Sequence, residues 1–183
     1  MRKTILITFL LFLCCFSIVN AETPVPLNDY MNKNIFINSY NQNMSKLKFP
    51  MRIDHVYPPT SKDETYVLSC HPYKLNEKFL NLYTDSNGKI MFISISLNKG
   101  TFNDNLKIHA LFDITVSLLS LGVPNEYVKN GSEMTKAIDK VLDSSTDEDS
   151  ASFIDYSNNR RFILNKVNSN NDFLTIVITS SKL

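Results

Sequence analysis

Apolar residues recur along this chain in three different rhythms. Phe36, Tyr40, Met44 and Leu47 fall at helical spacing, and Asn28 stands where it can cap the start, with Asp29 in the first turn and Pro50 limiting the far end. Met134, Ala137, Ile138, Val141 and Leu142 repeat the same rhythm behind Ser132, a second one-faced helix. Between them, Leu106 to Leu121 is apolar on nearly every face and stops at Gly122 and Pro124, which predicts a central, buried helix.

Elsewhere the period shortens to two. Residues 51 to 57 set Met51, Ile53, His55 and Tyr57 against Arg52, Asp54 and Val56; residues 65 to 72 and 79 to 84 are rich in strand formers. Asp85-Ser86-Asn87-Gly88-Lys89 is hairpin chemistry, and the run after it alternates Met91, Ile93, Ile95 and Leu97 with Phe92, Ser94 and Ser96. Three further strands are predicted at 152 to 157, 160 to 168 and 172 to 180, separated by Asn-rich turns. Helices segregated from runs of strands predict an α+β fold: a single antiparallel sheet of six to seven strands, with an N-terminal helix and two mid-chain helices packed on it.

The first residues follow a different logic. Arg2 and Lys3 precede an uncharged run from Ile5 to Val19, and Val19-Asn20-Ala21 offers small residues at the first and third places. A charged start, a short apolar core and a small-residue exit describe a secretory signal peptide, since a spanning helix needs about 20 apolar residues. The expectation is therefore a signal peptide over 1–21 and one domain over 22–183, secreted or periplasmic, with no membrane span after cleavage. Losing Arg2 and Lys3 takes the formal charge of +1 slightly negative. With no basic stripe interleaved with aromatics, nothing draws the chain to nucleic acid.

Cys14 and Cys15 leave with the signal, and Cys70 alone closes no internal disulfide, so burial must hold the domain together. The pair Cys70-His71 invites a thiol-enzyme reading. On a strand, however, Cys70 shares a face with Tyr66 and Leu68 while His71 points the other way. Catalysis by Cys70 would need His55 or His109 brought in by the fold. His109 and Asp113 stand four apart on the central helix, a spacing for a hydrogen bond or half a metal site. Asp143, Asp147, Glu148 and Asp149 form an acidic loop without the glycine and closing glutamate of a calcium loop. Arg160 and Arg161 point to opposite faces of a strand. Asn43 and Asn130 head glycosylation acceptor triplets. No phosphate loop, dinucleotide fingerprint, nucleophile elbow or zinc-protease helix occurs. Cys70, His109 and Asp113 are thus the catalytic candidates, and no cofactor or metal is expected.

The passage from the Asp85–Lys89 hairpin through NKGTFNDN into LKIHALFDITVSLLSLGVPNEYVKNG resembles that of small exported bacterial proteins of unknown function. The resemblance implies an envelope or secreted origin and supplies no site residues. The function expected is a non-enzymatic binding module, taking a protein partner at a sheet edge or a small apolar ligand between sheet and helices. The alternatives are a Cys70-dependent hydrolase or thiol-redox enzyme, and a structural or assembly component of the envelope or a secretion system.

Overall fold

A computed structural model describes residues 25–59, 65–128, 131–143, 149–170 and 172–183. Residues 1–21, where a signal peptide is expected, and Asp147, Glu148 and Asn130 lie outside the described residues. Seven strands form one antiparallel sheet: β1 (Arg52–Tyr57), β2 (Thr65–His71), β3 (Lys78–Thr84), β4 (Ile90–Asn98), β5 (Ser150–Asp155), β6 (Arg160–Asn170) and β7 (Phe173–Lys182). Their order in space is β1-β2-β3-β4-β7-β6-β5. Two meanders meet where β4 pairs β7, in register Ile93 with Ile178 and Ile95 with Ile176. The helices α1 (Lys33–Lys46), α2 (Leu106–Ser120) and α3 (Glu133–Leu142) complete the α+β architecture. Among the described residues no helix is long and apolar enough to cross a membrane.

Period-two alternation sends Leu68, Leu80, Leu82, Ile93, Ile95, Ile176 and Ile178 to one face of the sheet. There they meet Phe36, Tyr40 and Met44 of α1, Ile114 and Leu118 of α2, and Met134, Ile138 and Val141 of α3 in a continuous core. α1 lies against α2, and α3 lies over β5 and β6, so the three helices cover the sheet from end to end.

Local chemistry corrects several expectations. α1 begins later than Asn28: Asn32 is its cap, accepting from the Ile35 amide. Asn28 instead folds its own turn, accepting from the Tyr30 amide, and donates to the Leu121 carbonyl at the end of α2. Leu47 leaves the stripe, since the helix ends there and the side chain is exposed. Part of the polar loop before α2 is helical, one turn at Lys99–Phe102 capped by Asn98. α2 is not buried all round, for Ile108 is 63% exposed. Gly122 follows α2 at φ +92, the left-handed geometry expected after a helix end. In β1 the simple alternation fails at a register shift between Ile53 and His55. Met51 and Ile53 point into the core, while beyond the bulge Val56 turns inward and His55 and Tyr57 outward.

The burial pattern sets how much each apolar group matters. Leu82→Ala should cost about 2–5 kcal/mol in a urea titration, as expected for a fully enclosed leucine. Ile108→Ala should change stability by less than about 0.5 kcal/mol, although both residues sit in strongly apolar stretches.

Candidate functional site

Five elements converge on one polar point inside the core. Lys78 opens β3, and the alternation that turns Leu80 and Leu82 inward turns Lys78 inward too. Its side chain is wholly buried, and Nζ lies 2.5 Å from Oδ1 of Asp113, itself enclosed on α2. Nζ also sits 2.7 Å from Sδ of Met51, ahead of β1, and 5.5 Å from the ring centre of Tyr73. Tyr40 of α1 and Cys70 of β2 complete the group. Phe79 pairs with Ser69, so the next positions, Lys78 and Cys70, face each other on the core side.

This environment sets the chemistry of each group. Burial raises the pKa of Asp113, while the Lys78 charge and its hydrogen bond pull in the opposite direction. Burial first, and then the Asp113 charge, raise the Tyr40 phenol well above its usual range. Burial pushes the Cys70 thiol up to about 12, with Lys78 only partly offsetting it. At neutral pH Cys70 is a protonated, sealed thiol, the opposite of an activated nucleophile. Among the described residues, Tyr40 Oη, Asp113 Oδ2 and Ser117 Oγ complete no hydrogen bond of ordinary geometry.

The three candidate residues come near one another but form no open constellation. Asp113 is taken by Lys78 rather than by His109. His109 is half-buried and packs by its ring against Phe102 at 4.6 Å and Tyr73 at 6.1 Å. Its pKa is lowered, first by burial and then by the Lys78 charge, against the raising effect of Asp113. His71 points away from Cys70 to the outer face, 3.9 Å from Asp54. His55 lies beyond the bulge against Tyr57. Among the described residues no group of three or more His, Cys, Asp or Glu is placed to hold a metal ion. Arg160 and Arg161 do part to opposite faces; Arg160 is buried and pairs with Asp29 at 2.6 Å. The Asn43 amide is engaged with Ser120 Oγ at 3.2 Å. Sequence reasoning missed Lys78, yet a signal was present: Lys78, Leu80 and Leu82 alternate with Phe79 and Asn81, which puts the lysine in phase with the buried leucines.

The opposite face of the sheet is built differently. Cross-strand pairing sets Val67 beside Asn81, Asn81 beside Ser94, Ser94 beside Val177 and Val177 beside Asn165. A parallel row runs from Ser69 through Phe79 and Ser96 to Thr175. Asn81 donates to Ser94 at 3.0 Å, Ser96 and Thr175 share a hydrogen bond at 3.0 Å, and Phe79 lies against Phe173 at 5.8 Å. No Asp, Glu, Lys or Arg occurs in either row, and their apolar members do not join the core beneath the helices. Charged groups enter at the margins, with Arg52 and Asp54 at one end and Arg161 near the other. A separate hollow of about 200 Å³ lies beside the start of α1, lined by Asn32, Lys33, Tyr66 and Gly88. It is smaller than the roughly 300–1,000 Å³ that small-molecule sites usually occupy. No family model matches the chain, and no curated protein or solved structure matches it either.

The sealed thiol has two measurable consequences. Cys70 in folded protein should resist a thiol reagent at pH 7.5 and react fully in denaturant; rapid labelling without denaturant would contradict its burial. Above about pH 9 the unfolded thiol ionises while the folded one keeps its proton, so Cys70 by itself should contribute a fall in stability as pH rises, with a limiting slope of about 1.4 kcal/mol per pH unit, to which the buried Tyr40 phenol adds at higher pH. Cys70→Ala should make the alkaline limb of a pH–stability curve shallower.

Proposed function

We propose that the protein is an exported, non-enzymatic binding module that meets a protein partner through the uncharged face of its sheet. The observation that carries this reading is the chemistry of that face. A sheet surface meant only for water ordinarily carries charge, and a fifth of this chain is charged. Across five adjacent strands, the two central rows instead hold half-buried Val67, Ser69, Phe79, Asn81, Asn165 and Thr175 around the buried Ser94, Ser96 and Val177. Depletion of charge around aromatic side chains marks the centre of protein–protein interfaces, where burying a charge without its counterpart is costly. The partner is accordingly expected to present a neutral, partly apolar surface.

Two features of the interior support binding over catalysis. The groups with chemistry to offer, Cys70, Lys78, Asp113 and Tyr40, are shut away from substrate by the three helices. Phe36, Met44, Ile114, Leu118 and Ile138 fill the layer between sheet and helices, which moves the binding surface to the outside. Export remains part of the proposal and rests on Arg2, Lys3 and the apolar run from Ile5 to Val19.

Charge placed in the neutral rows tests this. A complex isolated from envelope extracts with the wild-type protein should weaken at least about tenfold with Thr175→Lys or Asn165→Glu, both folded by circular dichroism. Ile108→Lys on the helical side should leave it unchanged. Full retention by the two sheet variants, or failure of the wild-type protein to form any complex, would overturn the reading.

A further inference from the structure

We propose that Lys78 and Asp113 condense into an isopeptide bond, a covalent cross-link between β3 and α2. The reacting groups are already in place, with Nζ 2.5 Å from a carboxyl oxygen and both side chains wholly enclosed. Such proximity makes the reaction effectively unimolecular. The donor and acceptor balance also points to the amide. An ammonium has three protons to donate, and this one meets a single oxygen, a weakly accepting thioether and the distant face of Tyr73. On the other side Asp113 Oδ2 completes no hydrogen bond of ordinary geometry, although the carboxyl interacts with the Tyr40 phenol. An amide has one N–H and one carbonyl oxygen, which fits the small number of polar partners better than two buried ions do.

The step balances without any co-reactant. A proton first passes from the Lys78 ammonium to the Asp113 carboxylate across their 2.5 Å contact, giving amine and acid; the Nζ lone pair then attacks Cγ, and the N–C bond forms. A proton passes from Nζ to the departing hydroxyl, the Cγ–O bond breaks, and one water leaves. Tyr40 serves as the proton relay: its buried phenol interacts with the Asp113 carboxyl, although it completes no hydrogen bond of ordinary geometry in the resting pair. Burial of Asp113, which raises its pKa, favours the uncharged acid the step requires. The same exclusion of water slows the reverse hydrolysis. The chain has no second cysteine beyond its first fifteen residues for a disulfide, and the proposed bond would give an exported domain another kind of covalent brace.

Mass spectrometry of the purified, folded full chain tests it directly. The protein should be lighter than its sequence by one water, about 18 Da. Tryptic digestion should yield one branched species joining the peptide around Lys78 to the peptide around Asp113, uncut after Lys78. Localisation is essential, because dehydration at a terminal glutamate or a succinimide at another aspartate gives the same mass change. Tyr40→Phe should slow the appearance of the branched species, and Asp113→Ala should abolish it. Recovery of the two peptides separately at their unmodified masses, or a water loss that maps elsewhere, overturns the proposal. The wild-type chain alone decides the outcome, so a variant that fails to fold leaves the test intact.

Discussion

A lysine and an aspartate, enclosed together without solvent, tie the sheet to its helices. Each alone would cost several kcal/mol to strip of water. Together, Lys78 and Asp113 are tolerable only while β3 and α2 keep their present positions. The constraint therefore acts on placement. A slip of one residue in β3 would send Lys78 to the outer face and bring Phe79 and Asn81 inward. A rotation of α2 would carry Asp113 away from its partner and leave an uncompensated charge in the core. Met51, Tyr40 and Cys70 bring three more elements to the same point, so β1, β2 and α1 pack around a centre whose geometry leaves little choice.

From that centre the two faces of the sheet diverge in purpose. The inner face uses aliphatic side chains and three helices to bury everything reactive. The outer face gathers hydroxyls, amides and phenylalanines and keeps formal charge at its margins. The reactive groups lie in the interior and the central rows of the outer face carry no formal charge, the contrast on which the proposed binding role rests. The same division explains why the adjacent pair Cys70-His71 is not a catalytic pair. The strand that hides the thiol puts the imidazole on the other side of the sheet, next to Asp54.

Much of this architecture was legible in the chain, because most strands obey a simple alternation and α2 ends at a glycine followed closely by a proline. The seven strands, the three helices and the antiparallel arrangement follow from those local rules. What escaped were the places where tertiary contacts override local rules. Asn28 has a good capping side chain, but it serves the end of α2, and Asn32 caps the helix instead. The bulge in β1 reverses the alternation at His55, which composition does not announce. Of the central cluster, the sequence placed Cys70 on the face it shares with Leu68, and the thiol's burial follows from that. It placed Asp113 beside His109, four residues away on the same helix. It did not find the true partner, because Lys78 lies 35 residues earlier and a charged residue at a strand start reads as solvated. Its phase with Leu80 and Leu82 was the available clue.

The interdependence of Lys78 and Asp113 is the claim on which the rest turns, and a double-mutant cycle measures it most directly. Lys78→Met and Asp113→Leu, singly and together, would be compared with the wild-type protein by urea unfolding at neutral pH. Each single change should cost about 3–5 kcal/mol by stranding its partner, and the double change should cost clearly less than the two single costs summed, a coupling of at least about 2 kcal/mol. Losses that simply add, with coupling near zero, would contradict the account and show that the two side chains meet without holding the fold together.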